Sequence, residues 1–378
     1  MDVPAMMRLI LACLMAFSVP ASLLAQSELI LDLGTGPVTP PAPARGDIVI
    51  DLGRGPITVH VPPSYDPATA TPLVMLLHGY GSSGPQQESY MQFLPLSEEF
   101  GFLYLYPDGT ADAVGRRFWN ATDACCNFFG SNVDDSGYLQ ALIDEIKTLL
   151  NVDPRRVHVI GHSNGGFMAY RMACDHADVI ASIAGLAGAT FNDPADCTPA
   201  APVHVLQIHG TADNTILFDG GCIGNNCYPG AIQSVEQWAD YDGCSLVANR
   251  SAPPIDLVAD IPGDETTVTR YRSDCLPGGS GELWTMVGGG HVPVLSASFS
   301  RLVVEYLLAH PKPSSVLGDL NCDGRIDALD IEPFILALFD PDEYPIQFPV
   351  CDINLADING DGSIDALDIE PFLGLLFP

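Results

Sequence analysis

The stretch VHVIGHSNGGFMAYRMAC at residues 157–174 decides how the chain is read. Val157–Ile160 is a run of strand formers, Gly161-His162-Ser163-Asn164-Gly165 a turn bracketed by glycines, and Gly166–Ala173 a helical pattern. A serine at such a strand–turn–helix corner has the layout of a nucleophile elbow. The bend brings backbone segments too close for Cβ atoms at 161 and 165, and it lifts the hydroxyl above a helix N-terminus. Ser163 is therefore the candidate nucleophile.

Outward from the elbow, short apolar runs at Leu73–Leu77, Phe102–Tyr106, Val203–Ile208 and Leu283–Val287 alternate with helical patterns. Tyr138, Leu139, Leu142, Ile143, Ile146, Leu149 and Leu150 recur at three- to four-residue spacing, an amphipathic helix that Asp134 or Asp135 can cap. Alternation of this kind predicts an α/β fold with a mainly parallel sheet. Asp47–Val61 reads as a β-hairpin entering that sheet, and its segment 50–58 repeats 31–39 across a Pro/Ala-rich spacer at Pro40–Ala44.

A serine hydroxyl needs a base to take its proton and a carboxylate to orient that base. On this elbow the chain order is Ser, then Asp or Glu, then His. Asp213, in His209-Gly-Thr-Ala-Asp213, and His291, in Gly288-Gly-Gly-His291, both follow strands and fall at the same sheet edge as Ser163. Asp219 lies deeper in a Gly/Cys-rich insertion, His310 reads as a helix end, and His162 and His209 as turn residues beside the site. For the oxyanion, the backbone N–H of Asn164 is one expected donor. The other is that of Tyr80, in the loop His78–Gly84 after an early strand.

Charge and cysteines bound the rest. Against 47 acidic side chains stand 15 basic ones, a net charge of −32, which excludes nucleic acid as a partner. Only Lys147 and Lys312 are lysines, and Asp outnumbers Glu by 35 to 12, so salt adaptation is one explanation of the surface. Arg8, the apolar run Leu9–Val19 and the small residues Ala21, Ser22 and Ala25 predict a signal peptide over 1–25 and a secreted protein. No segment has the length of a membrane helix. Of 11 cysteines, Cys13 belongs to the signal; the order of the others suggests Cys174–Cys197, Cys222–Cys227, Cys244–Cys275 and Cys322–Cys351, with Cys125 and Cys126 unassigned.

Residues 47–310 resemble the secreted esterases grouped with polyhydroxybutyrate depolymerases and feruloyl or acetylxylan esterases, an α/β-hydrolase family. The motifs that carry the resemblance are LLHGYGSSG at 76–84, RRFWNATDACC at 116–126, NVDDSGYLQALIDEI at 132–146, the elbow, IHGTADNTI at 208–216, PGAIQSVEQWADYDGC at 229–244 and GGGHVP at 288–293. The resemblance implies hydrolysis of carboxylic esters by Ser163, Asp213 and His291 without a metal. The chain departs from many relatives at Val292-Pro293, where they carry an aromatic residue, and in the insertion Gly220–Tyr228.

Beyond a linker at 311–317, residues 318–378 hold 14 acidic side chains and only Arg325. Asp319–Asp330 recurs as Asp357–Asp368. Oxygen ligands at loop positions 1, 3, 5, 9 and 12, a carbonyl at 7 and glycine at 6 are what Ca²⁺ requires. The expected ligands are Asp319, Asn321, Asp323, Arg325 through its carbonyl, Asp327 and Asp330, then Asp357, Asn359, Asp361, Ser363 through its carbonyl, Asp365 and Asp368. Each loop runs into Ile-Glu-Pro-Phe, so Asp330 and Asp368 are expected to cap helices with Pro333 and Pro371 in the first turn.

Two such units make a small all-α, EF-hand-like domain and resemble a type I dockerin. In that family positions 10 and 11 contact a cohesin; here they are Ala328-Leu329 and Ala366-Leu367, and the usual basic pair is missing. The expectation is a secreted serine esterase acting on an ester-bearing plant polysaccharide, of feruloyl or acetylxylan type. A polyhydroxybutyrate depolymerase is the alternative within that class, and a Ca²⁺-dependent adhesion or scaffold protein with an idle hydrolase fold the alternative outside it.

Overall fold

The computed structural model describes residues 46–314, 316–322, 325–348 and 351–377. The signal peptide expected at 1–25, the leader up to residue 45 and Asp323 lie outside the described residues.

The chain enters through a hairpin, β1 (Ile48–Ile50) and β2 (Ile57–Val59), paired antiparallel with Ile48 opposite Val59. Then follow β3 (Thr71–Leu77), helices α1 (Gly84–Met91) and α2 (Leu94–Phe100), and β4 (Leu103–Leu105). A small ribbon, β5 (Thr110–Ala111) and β6 (Arg117–Phe118), precedes α3 (Asp135–Leu149) and β7 (Val152–His162). After the elbow come α4 (Asn164–Asp175), β8 (Ser182–Leu186), β9 (His204–Gly210), the hairpin β10 (Gly220–Ile223) and β11 (Asn226–Pro229), α5 (Ala231–Tyr241), β12 (Thr266–Tyr271), β13 (Ser280–Met286) and α6 (Phe299–Leu308).

Seven strands form one sheet in the order β12-β13-β9-β8-β7-β3-β4, parallel except for the edge pair β12–β13. This is the α/β-hydrolase architecture. Both faces of the sheet are buried because side chains alternate along each strand. Leu73, Met75, Val157 and Val159 pack under α3 and α4, against Leu139, Leu142, Phe167 and Met168. Val74, Leu76, Ile160 and Leu206 face the other way onto Val303, Val304 and Leu307 of α6. Asp134 caps α3, its carboxylate accepting from Gly137 N at 2.8 Å.

The tail carries α7 (Ile331–Phe339), α8 (Tyr344–Gln347) and α9 (Ile369–Leu376) around its own core, where the rings of Phe334 and Phe372 stack 4.1 Å apart. Asp330 and Asp368 stand at the N-cap positions of α7 and α9, but their side chains do not bond to the helices. They turn back instead: Asp330 accepts from the Leu320, Asn321 and Asp327 N–H groups, and Asp368 from those of Asn359 and Asp365, so each closes its own loop. Loop closure satisfies two or three turn N–H groups with one carboxylate, where a helix cap would satisfy fewer.

All four cysteine pairings read from the order of the chain are present, and Cys125 and Cys126 are bonded to each other.

Candidate active site

The candidate nucleophile sits where β7 turns into α4. Ser163 has φ 56° and ψ −119°, a left-handed conformation disfavoured for a residue with a side chain. Its neighbours make room for it. A Cβ at Gly161 would lie 2.0 Å from the Gly165 carbonyl oxygen, and one at Gly165 would lie 2.2 Å from that of Leu77.

Strand order then brings three distant segments together. Asp213 follows β9 and His291 follows β13, both at the edge where β7 ends. His291 Nε2 lies 2.9 Å from Ser163 Oγ, and His291 Nδ1 lies 2.8 Å from Asp213 Oδ2. The other Asp213 oxygen accepts from Thr215 N at 2.8 Å and Ile216 N at 2.9 Å. Burial alone would raise this carboxyl, but the bonds from His209, His291 and Thr215 outweigh it and hold Asp213 well below the usual carboxylate range. Asp219, the weaker sequence candidate, is not part of this chain of bonds.

His162 and His209 are strand residues rather than turn residues, and both support the site. His162 Nε2 donates to the His291 carbonyl at 2.9 Å; burial lowers its pKa to about 4, so it is neutral. His209 Nε2 donates to Ile216 O at 2.8 Å and lies 3.3 Å from Asp213 Oδ2, while its Nδ1 accepts from Gln207 Nε2 at 3.0 Å. The sequence marks this histidine only by its place four residues before Asp213.

The loop after β3 runs against Ser163: a Cβ at Gly79 would lie 3.4 Å from Ser163 Cβ. The Gly79 N–H is directed to Gln87 Oε1 at 3.3 Å, and Tyr80 follows it. Asn164 opens α4, so its backbone N–H has no acceptor within the helix. The Asn164 side chain is locked by two bonds, accepting from Trp119 N at 2.7 Å and donating to Trp119 O at 2.9 Å. Trp119 also donates from Nε1 to His78 O at 3.0 Å, which joins the two loops that carry Tyr80 and Asn164.

Both departures noted in the sequence are anchored to other segments. The insertion is the β10–β11 hairpin closed by Cys222–Cys227, tied through Asn226 Nδ2 to Asp123 O at 2.6 Å. At the second departure Tyr90 donates to Pro293 O at 2.7 Å, and Val292 and Val294 are exposed.

Comparison with known proteins bears on this arrangement. Residues 57–254, more than half of the chain, match the family described as esterase PHB depolymerase. The chain belongs to that family. Among curated relatives of this PHB depolymerase-family chain, feruloyl esterase B of Piromyces equi is 29% identical over 62% of the chain and 42% of its own length. The bifunctional acetylxylan esterase/xylanase XynS20E of Neocallimastix patriciarum is 27% identical over 42% of the chain and 22% of its own length. Poly(3-hydroxyalkanoate) depolymerase C of Paucimonas lemoignei is 32% identical over 37% of the chain and 33% of its own length. The chain thus spans less than half the length of each.

Residues 317–371 of this family member are a dockerin type I domain, a kind that generally binds calcium. Its second loop is described throughout. Asp357 accepts from Asp361 N at 3.1 Å and Gly362 N at 2.9 Å, Asn359 Oδ1 from Asp361 N at 2.8 Å, and Asp361 Oδ1 from Ser363 N at 3.0 Å. Gly362 takes φ 86°, which the sharp turn requires. Among the described residues no three acidic, histidine or cysteine side chains converge on a metal-sized point. The donor set is nonetheless made of oxygens alone, bent into one short arc, and that chemistry suits a hard cation.

Proposed function

We propose that the chain is a secreted serine carboxylic-ester hydrolase acting on esters of plant polysaccharide, of feruloyl or acetylxylan type. Residues 47–310 form the catalytic module, and 318–378 a calcium-dependent targeting module that presents Ala328-Leu329 and Ala366-Leu367 to a cohesin-like protein. The observation that carries the catalytic reading is the unbroken run of hydrogen bonds Ser163–His291–Asp213.

In this mechanism Ser163 Oγ attacks the ester carbonyl while His291 Nε2 takes its proton. Asp213 holds the imidazole with Nδ1 protonated and stabilises the positive charge it acquires. The N–H groups of Tyr80 and Asn164 receive the developing oxyanion. His291 then gives its proton to the leaving alcohol, and water, activated by the same imidazole, releases the acid from the acyl-serine. Asp357, Asn359, Asp361, Ser363, Asp365 and Asp368 would hold one calcium ion through their oxygens, and Asp319, Asn321, Asp323, Arg325, Asp327 and Asp330 another; each ion, when bound, would supply the positive charge that draws its loop together.

The similarity to the Paucimonas depolymerase supports a second reading, hydrolysis of a polyester. One assay separates the two. Enzyme and a Ser163→Ala control are offered methyl ferulate, acetylated xylan, p-nitrophenyl acetate and polyhydroxybutyrate. Serine-dependent release from the first two is expected. Turnover confined to the polyester would reverse the ranking, and no serine-dependent turnover would leave the idle-scaffold reading.

A further inference from the structure

At the amino-terminal edge of the sheet, away from Ser163, a cavity of about 760 Å³ opens between the segments that lead into β3, β7, β9 and β13 and the linker. Among the described residues its wall reverses the charge balance of the molecule. Acidic side chains outnumber basic ones 47 to 15 in the chain, yet here Arg155, Arg156, Lys312 and Arg325 stand against Asp153 and Asp178.

One of these cations is buried and another half-buried, both with unmet needs. Lys312 is 9% exposed, and among the described residues its ammonium meets one acceptor, Pro202 O at 3.2 Å. Burial lowers its pKa to about 8, against the weaker opposing pull of Asp178 and Asp242. Arg155 donates from one terminal nitrogen to Cys322 O and lies 3.9 Å from Asp319 Oδ2, but its buried Nε has no acceptor among the described residues. Arg156 is paired through Nε with Asp153 at 2.5 Å and keeps its side chain 37% exposed. Buried cationic donors short of acceptors are costly, and carboxylate oxygens are the groups that satisfy them. The volume is that of a small-ligand site.

We propose that this cavity is a second, non-catalytic binding site for a carboxylate-bearing ligand of one to three sugar rings, a uronate on the ester-bearing polysaccharide. The source of the carboxylate rests on the polysaccharide reading above; the carboxylate chemistry rests on the cavity alone. Lys312 and Arg155 bind the carboxylate from the linker and β7 sides, and Arg156 screens the mouth.

The test is calorimetry on the full, calcium-saturated chain carrying Ser163→Ala, so that hydrolysis cannot contribute heat. The probes are glucuronate-bearing xylobiose, neutral xylotriose and glutarate. The acidic oligosaccharide is expected to bind with a millimolar or tighter Kd, and glutarate about fivefold more weakly. Neutral xylotriose should not bind. Lys312→Gln combined with Arg156→Gln, and independently Thr69→Glu on the exposed wall, should each weaken binding about tenfold. In the Ser163-intact protein Thr69→Glu should leave p-nitrophenyl acetate turnover unchanged, which also shows that the variant is folded. Equal binding of the neutral sugar, absence of binding, or indifference to the substitutions overturns the proposal, and glutarate binding as tightly as the acidic sugar overturns the uronate assignment. Loss of the esterase reading would appear separately, as wild-type protein inactive on every ester while this site still binds.

Discussion

His209 Nε2 lies 3.3 Å from Asp213 Oδ2, the same oxygen that faces His291 Nδ1 at 2.8 Å. Asp213 is thus held between two imidazoles, one on the catalytic side and one locked behind it by Gln207 and Ile216. Replacing His209 with leucine leaves that side of the carboxylate without its imidazole. We expect kcat/KM to fall by about tenfold, equal to about 1.4 kcal/mol of transition-state stabilisation. The loss should fall mainly on kcat, with the acidic limb of the pH–rate profile displaced, since Asp213 acts through His291. An unchanged profile would reduce His209 to a packing residue.

Removal of the proposed nucleophile is a cleaner test. Ser163→Ala should lower turnover of soluble esters on the order of 10³-fold or more. Circular dichroism and the midpoint of urea unfolding should stay close to wild type, because the hydroxyl contributes little to the core.

The elbow itself is intolerant of a single methyl group. Gly161→Ala puts a Cβ 2.0 Å from the Gly165 carbonyl oxygen, backbone that cannot give way without moving α4. A cost of about 3 kcal/mol is expected, read as a lowered urea midpoint together with lost activity. Gly263→Ala, at a positive φ but with open space around it, should cost about 1 kcal/mol and spare activity.

Stability should fall steeply in mild acid. Burial lowers His158 to a pKa of about 3, and His162 and His310 to about 4, and pushes His204 well below its ordinary value. Each is neutral in the folded protein, whereas the unfolded chain takes up a proton near pH 6.5. Above that pH they contribute no slope. As pH drops from about 6.5 towards 4 the unfolded state binds more protons, and each buried histidine removes up to about 1.4 kcal/mol per unit. Urea midpoints at pH 7, 6 and 5 should decline in that order, and His158→Gln should flatten the decline. A midpoint constant over this range would contradict the neutral, buried state of these rings.

Chelation should separate tail from catalysis. With calcium removed, the loops 319–330 and 357–368 lose the ion that gathers their carboxylates, and limited proteolysis should cut beyond residue 317 while hydrolysis of p-nitrophenyl acetate persists. Cys322–Cys351 should keep the tail's cleaved pieces joined until a reductant is added. Proteolysis indifferent to chelator would count against calcium-dependent folding.

Much of this arrangement is legible in the chain because it is local. Val157–Ile160 with its glycines announces the elbow, and residues that directly follow β9 and β13 must share its edge once the strands are parallel. Other features depend on neighbours that no local pattern names. Ser182–Leu186, with its Ala and Gly, is too small and short to stand out, yet it is the central strand β8, buried on both faces. The antiparallel edge strand β12 is likewise unannounced. His209 reads as a turn residue because the strand runs two residues beyond its apolar run. The carboxylates of Asp330 and Asp368 read as helix caps because the closing of a loop on itself is decided by turn geometry rather than by spacing. The bond between Cys125 and Cys126 is equally hidden, since adjacency in sequence says nothing about pairing.

Strand β7 has one further consequence. It begins beside Arg155, whose carbonyl accepts from Lys312 N in the linker and whose guanidinium donates to Cys322 O in the first repeat loop, and it ends at Ser163. Eight residues of extended chain, roughly 25 Å, separate the anchor from the chemistry. A macromolecule that grasps the tail approaches the enzyme from behind, and the ester enters from the front. On the proposed reading, attachment and turnover therefore do not compete for space, and the enzyme can work while it is moored.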